Sequence, residues 1–354
     1  MGEVSGVSGA EPLRAPAGWD ERTRLAPPAL GYWASAFRKL LRKPSALVSF
    51  TVLVLIVLSC AAAPYYARDV SRTDPFATNI GGTTMVGGKS LDVLQQATNG
   101  LGLGFTPIGP LWRLGPYALG ADDQGRDVAA RLLYGGRNSL LIGAASTVIC
   151  LALATLTGLV AGFFGGLIDR VISIFLDILW AFPIYLLAIS LSIVLINQSV
   201  GIGPLQLTGN SLLLPILIIG VVYVPYVARP IRGQVLSLRN SEFVLAARGL
   251  GVPGFRILWR DVLPNVFSTV IVFAPLMMAL NILTEAALSF LSVGVQPPAA
   301  SWGTLIHDGE ALLYTQPMVA IAPGIAIVLT VLALNILGDG LRDALDPRAK
   351  LRVG

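Results

Sequence analysis

The chain has 354 residues, of which 54% are hydrophobic and 13% charged, with a formal net charge of +5. That charged share is about half of what a soluble globular domain carries, which excludes an ordinary soluble enzyme. The charges cluster, and uncharged runs lie between them at 44–67, 138–168, 178–228, 262–284 and 311–338.

A bilayer core is crossed by about 20 mostly apolar helical residues. The run at 178–228 is too long for one helix, and its polar, Gly- and Pro-containing stretch 197–210 divides it. Six spans follow, at roughly 45–63, 139–162, 171–196, 211–228, 265–290 and 318–338. The expectation is an all-α, polytopic membrane protein.

Residues 1–43 form a tail. Its first 36 residues lack hydrophobic periodicity, and its end, ASAFRKLLRK, is basic and amphipathic, suited to the inner membrane surface. The first transmembrane helix is assigned to 44–66. With 43 residues ahead of the apolar run and no clean small-residue cleavage site after it, it reads as a retained anchor, not a signal peptide. Cys60 and Cys150 both fall inside spans, where a thiol behaves as a small hydrophobe, so no disulfide, metal cluster or nucleophile is expected from them.

The loop 67–137 is the largest piece outside the membrane and is expected to be a small decoration, with one short helix at 90–97. Its GGTTMVGGKS approaches the phosphate-loop pattern, but Thr83 stands where the first Gly belongs and no apolar strand precedes it. Asp122, Asp123 and Asp127 do not have calcium-loop spacing and read as caps and turns ahead of a helix.

Residues 138–338 form a five-helix core, followed by a tail at 339–354. Gly158 and Gly162, then Gly162 and Gly166, have the spacing that lets helix backbones approach in lipid. Between the fourth and fifth spans, the loop 229–264 is patterned like folded structure. Asn240 or Ser241 can cap a helix over 242–248, with Glu242 at the positive end of its dipole. Gly249 and Gly251 can supply a left-handed stop before Pro253. A second amphipathic segment, 255–263, places Arg256 and Arg260 one turn apart and ends at Pro264. So short a helix, with Val244, Leu245, Ala246 and Ala247 in its body, cannot bury its own apolar face, and either a partner's groove or the lipid headgroups must cover it.

Carboxylates inside spans are functional candidates. Asp177 lies near the inner end of the third span; Glu285 lies near the outer end of the fifth, sharing a face with Asn281 and Ser289. Asn281, Glu285, Ser289 and Asp177 are the residues considered for lining a path, with helix packing as the alternative. The one histidine, His307, sits in the outer loop beside Asp308 without a convincing ligand set.

With six spans, 18 of the Lys and Arg residues fall on the side of the termini and 7 on the other, the net charges being +8, −1 and, within spans, −2. Excess Lys and Arg mark the cytoplasmic face, so both termini are expected inside. Without a basic stripe interleaved with aromatics, no nucleic-acid partner is expected.

EFVLAARGLG at 242–251, with LPN at 263–265, resembles the EAA loop of ABC-importer permeases. The wider chain resembles the dipeptide/oligopeptide/nickel branch, DppC or OppC type, through FRKLLRKPSALVSFTVLVLIVL (37–58), LGADDQGRDVAARLLYGGRNSLLIG (119–143), GFFGGLIDRVISIFLDILWAFP (162–183), LTEAALSFLSVGVQPPAASWGTLI (283–306) and LTVLALNILGDGLRDALDPR (329–348). Ala121 replaces the usual Thr, Leu245 the EAA Glu, and Gly249 the commoner Ala.

The resemblance implies a type I ABC-importer permease fold, in the bacterial inner membrane, that pairs with a second permease of DppB or OppB type. Two ABC ATPase subunits and an extracytoplasmic substrate-binding protein complete the implied assembly. The ATPase-coupling segment would comprise Glu242, Val244, Leu245, Ala246, Ala247, Arg248, Gly249 and Gly251. ATP and Mg would belong to the ATPases, with no cofactor and no catalytic site in this chain. Dipeptides or oligopeptides are the implied substrates. Nickel import is the alternative within the family, and an ion-driven secondary transporter using Asp177 and Glu285 is the alternative outside it.

Overall fold

The computed structural model describes residues 32–96, 104–196, 200–202, 205–207 and 211–345; most of the N-terminal tail and the segment 346–354 lie outside them. The chain opens with α1 (Tyr32–Leu41) and α2 (Pro44–Ala61), where Pro44 at the first turn costs no helical hydrogen bond. After α2 come a short α3 (Ala63–Tyr65) and a π-helical turn, Tyr66–Ser71.

Strands then form where a helix was expected at 90–97. β1 (Thr83–Val86) pairs antiparallel with β2 (Lys89–Asp92), and β3 (Leu94–Gln96) with β4 (Phe105–Pro107). Gly87 and Gly88, at φ +58° and +80°, form the two-residue turn of the first hairpin, the geometry whose twist suits adjoining strands. The near-miss phosphate loop is therefore a β-hairpin. Val93, Ile108, Tyr117 and Ala121 give the region ahead of α4 its own small core.

α4 (Val128–Phe164) starts eleven residues ahead of the expected span. The third span divides into α5 (Gly166–Ala181) and α6 (Ile184–Ile196), bent by 90° at Phe182-Pro183. A hairpin of β5 (Val200–Ile202) and β6 (Leu205–Leu207) follows. The fourth span is likewise two pieces, α7 (Leu213–Val222) and α8 (Val224–Arg239), bent by 42°. Four helices are long and apolar enough to cross a membrane, six if each bent pair is one span, among the described residues.

Beyond α8 lie α9 (Glu242–Gly249), α10 (Gly254–Ile257), a π-helical stretch Leu258–Val262, α11 (Leu263–Phe290), α12 (Trp302–Glu310) and α13 (Met318–Leu345). Pro264 does not end the segment before it. It sits in the first turn of α11, and the wider π turn ahead of it accommodates the missing N–H. α13 runs seven residues past the expected span end, and Asp343 in that extension pairs with Lys43 at 2.5 Å.

α4 is the central helix. A Cβ added at Gly158 would lie 2.9 Å from the Ala228 carbonyl oxygen of α8, and one at Gly162 would lie 2.9 Å from that of Arg232. These two glycines make the expected backbone approach. Gly166 does not: it follows the helix break at Gly165, has φ +57°, and faces nothing within 4 Å.

Candidate functional site: the loop between α8 and α11 and its ties to the bundle

α9 is shaped by the two ends of its sequence. Ser241 stands at the N-cap with extended backbone, yet its hydroxyl donates backward to the Leu238 carbonyl at 2.5 Å, leaving the first turn without a side-chain cap. Glu242 in that turn still complements the dipole. At the other end, the Gly251 N–H donates to the Arg248 carbonyl at 2.9 Å and the Val252 N–H to that of Ala247 at 3.1 Å. This is the paired closure of a Schellman motif, and it requires Gly251 at φ +75°. Gly249 belongs to the helix body, so Gly251 alone is the left-handed stop.

One face of α9 is anchored. Val244 is fully buried in the main core, which also holds Ile257 and Leu258, with Ala247 and Val252 packed against it. The Arg248 guanidinium lies 5.3 Å from the centroid of the Phe163 ring at the end of α4. The opposite face is bare: Phe243, Leu245 and Leu250 are exposed, Leu250 by 83%, and Phe255 of α10 extends the patch. Ala246, Arg248 and Gly249 are also exposed. α9 thus shows exposed apolar side chains beside the exposed charges of Glu242 and Arg248.

α8 leads directly into this helix and is tied to α5 by two ion pairs. Arg232 donates to both oxygens of Asp169, at 2.5 and 2.7 Å. Arg229 donates to Asp177 at 2.7 Å, and its guanidinium also lies over the Trp180 ring, which stacks on Tyr226. Asp177 and Arg229 keep 66% and 42% of their side chains exposed.

The other three path candidates are enclosed. Glu285 is fully buried, accepting from Ser139 of α4 and from Ser289, each at 2.7 Å. Asn281 donates to Thr147 of α4 at 2.9 Å, and Ser289 accepts from the Val295 N–H at 3.0 Å. Asn281, Glu285 and Ser289 thus face α4 and the loop ahead of α12 within this chain, not an open path. The face shared at i, i+4, i+8 was legible; its destination was not, since periodicity does not say which neighbour a face meets.

Sequence reasoning did not find the ion cluster that joins the start of α4 to α12. Asp122 accepts from the Gln124 and Arg126 N–H groups and from Arg126 Nε at 2.7 Å, while Asp308 on α12 accepts from Arg126 at 3.0 Å and Arg131 at 2.9 Å. Asp127 caps α4, accepting from the Ala129 and Ala130 N–H groups. Burial raises its carboxyl above the usual range, opposed by these N–H groups and that of Tyr117. Ser301 and Thr304 form a capping box on α12. The ordering signal was the charge string at 122–131; its partner at 308 is distant in sequence. His307 stacks edge-on to Phe290, with rings 5.9 Å apart.

Residues 154–351 match the family described as "Binding-protein-dependent transport system inner membrane component", more than half of the chain. The chain belongs to this family. Residues 31–81 match the N-terminal transmembrane domain of oligopeptide transport permease C. The permease is 33% identical to the dipeptide transport system permease DppC of Alkalihalophilus pseudofirmus, over 94% of this chain and 93% of that one. It is 34% identical to the oligopeptide permease OppC of Bacillus subtilis, over 96% and 97%. The glutathione permease GsiD of Pectobacterium atrosepticum is 38% identical over 66% of this chain and 73% of that one. Among solved structures, the MetNI methionine ABC transporter matches 61% of this chain and 96% of that one at 19% identity and a TM-score of 0.47; the assignment rests on the sequence matches. The protein is thus a multi-pass inner-membrane permease.

Proposed function

We propose that this permease is one of two membrane subunits of an ATP-driven importer for short peptides. The observation that carries the reading is α9, a closed helix with an anchored face at Val244 and a bare apolar face at Phe243, Leu245 and Leu250. It is the surface offered to an ATPase cleft. ATP and Mg act in two separate ATPase subunits, and this chain supplies no catalytic group. A second permease completes the path, and an extracytoplasmic binding protein delivers the substrate.

The wiring supports transmission of force. α9 follows α8 after the two-residue turn Asn240-Ser241, reaches α11 through α10 and the π turn on the other side, and touches α4 through Arg248 and Phe163. A rigid-body displacement of α9 therefore acts on three helices at once. Within the chain, Asp177 and Arg229 are the path residues. An exposed charge pair beside two helix breaks is costly against hydrocarbon and suits a water-filled passage.

Peptides are favoured over nickel because the relatives that match over nearly the whole chain are named for dipeptides and oligopeptides, and glutathione is itself a tripeptide. Both termini are assigned to the cytoplasm from the excess of Lys and Arg on that side. Lys89→Cys should react with an impermeant thiol reagent from outside and Arg256→Cys should not; the reverse pattern overturns the orientation. The functional test is uptake of a labelled dipeptide into proteoliposomes holding the assembled transporter and its binding protein. Uptake should require ATP and the ATPase subunits, and uptake that persists without either refutes the reading.

A further inference from the structure

The end of the bundle that carries the β-hairpins has a groove of about 650 Å³ between α2, α4 and the loop at 296–299. Its walls are apolar: Val57 of α2 and Leu141 of α4 line it and are themselves 48% and 54% exposed, and Pro297 closes one side. Such a volume is in the range of sites that hold small ligands.

The rim is polar, and its groups differ in how they are engaged. Asn138 donates to the Ala300 carbonyl at 2.7 Å, and Gln296 donates to the carbonyls of Ser292 and Gly294, each at 3.1 Å. Arg137 is exposed and makes no ion pair among the described residues; its guanidinium lies 5.6 Å from the centroid of the Tyr134 ring. Among the described residues, the rim therefore offers a cation without a carboxylate partner.

Depth gives the cation its meaning. From residue 138 to the end of α4 the helix is uncharged, about 40 Å at 1.5 Å per residue, which exceeds the ~30 Å hydrocarbon core. Arg137, immediately before this stretch, stands at headgroup level, while Val57 and Leu141 continue the groove toward the acyl region. α2, which forms one wall, is the least buried of the four single-helix candidate spans, with 17% of its apolar window covered by the rest of the chain.

We propose that this groove binds an anionic phospholipid from the surrounding leaflet, its phosphate paired with Arg137 and an acyl chain lying along Val57 and Leu141. A cation above an apolar groove at this depth complements a phospholipid in charge and in shape. The proposal does not depend on the transported substrate.

Native mass spectrometry of the full-length permease, purified with the subunits it retains and exposed to defined lipids, tests it. Wild type should retain phosphatidylglycerol in preference to phosphatidylcholine, and inorganic phosphate should not displace it. Arg137→Gln should lower phosphatidylglycerol retention by about fivefold, the size of one interfacial cation's contribution, and Arg137→Lys should restore most of it. Leu141→Trp, which fills the apolar part, should lower retention of both lipids with Arg137 intact. Equal retention of the two lipids by wild type, unchanged retention in Arg137→Gln, or displacement by phosphate alone would overturn the proposal. So would cross-linking of Arg137→Cys to a companion subunit in a complex that retains no lipid.

Discussion

The Ser139 hydroxyl donates to Glu285 Oε2 at 2.7 Å, joining α4 to α11 across 146 positions of sequence. The same oxygen of Ser139 accepts the Trp302 N–H at 3.1 Å, so one small side chain links α4, α11 and the start of α12. Glu285 completes the hub through Ser289. A fully buried carboxylate is tolerated here because neighbouring hydroxyls satisfy its oxygens.

Ser139→Ala should therefore act on stability. It leaves a Glu285 oxygen and the Trp302 N–H without their partner, a loss of ~1–3 kcal/mol. Thermal unfolding of the purified protein should shift downward, while the KM for peptide uptake, measured below the transition, stays at the wild-type value. An unchanged melting temperature with an altered KM would mean that the hub touches the substrate.

Gly251 is required by conformation, not by space, since a Cβ there would meet nothing within 4 Å and φ is +75°. Gly251→Val should disfavour the left-handed stop by ~1–2 kcal/mol and misorient α9. Membrane insertion should be normal, with ATP hydrolysed at an appreciable rate and peptide uptake reduced at least several-fold. Glu242→Lys, which places the wrong charge at the start of the α9 dipole, should do the same more weakly. Wild-type uptake per ATP in both variants would remove α9 from the coupling path.

These two sites show what composition and pattern carry. α9 was legible because its signals are local: an acidic first turn, a glycine stop and a proline just beyond. The apolar centres of the spans were legible for the same reason, as uncharged runs, whereas the helices α4, α8 and α13 extend well beyond them. The 90° bend at Phe182-Pro183 was not, because Pro183 lies inside an unbroken apolar run and nothing local separates a kink from a sharp break. The hairpin at 83–92 was hidden by its short strands, although Gly87-Gly88 is a turn signal. Glu285 gave a face without a neighbour. Its partner Ser139 and the pairing of Arg131 with Asp308 join segments too distant in sequence for any local pattern to register.

In that cluster, Arg131 is 3% exposed at its side chain and lies between Asp122 and Asp308. Arg131→Ala removes one of the two arginines that face these acids and leaves Arg126 as their remaining counter-charge, so the cost should approach but not reach the ~3–5 kcal/mol of a buried pair broken on one side. The loss should appear as a marked drop in melting temperature. Asp308→Asn, at a side chain 23% exposed that keeps an acceptor oxygen for both arginines, should cost less. Equal losses would show that the cluster is not ordered by burial.

Two glycines near the α4–α8 contact should respond oppositely. Gly162→Leu forces side-chain atoms against the Arg232 carbonyl and Val235, which lie 2.9 and 2.8 Å from an added Cβ, and should destabilise by ~1–3 kcal/mol. Gly233→Ala on the exposed face of α8 meets nothing within 4 Å and should stabilise by up to ~1 kcal/mol through helix propensity. Paired unfolding curves decide both, and a stabilising Gly162→Leu would refute the close approach of the two helices.

The final prediction concerns how α8 is steered. Asp169 on α5 receives two hydrogen bonds from Arg232, and the two side chains are 19% and 32% exposed. A partly exposed pair of good geometry contributes at most ~1 kcal/mol, so Asp169→Asn and Arg232→Gln should each lower the melting temperature only slightly. Their coupling should nevertheless be visible in a double-mutant cycle, the double variant losing less than the two single losses combined. Because α8 runs without interruption toward α9, loosening this tie should also reduce peptide transported per ATP hydrolysed. The exchanged pair Asp169→Arg with Arg232→Asp should recover part of both losses, since it restores the attraction with reversed polarity. Additive single effects with an unchanged transport ratio would mean that α5 does not steer α8, leaving the packing of Gly158 and Gly162 against it as the constraint on its position.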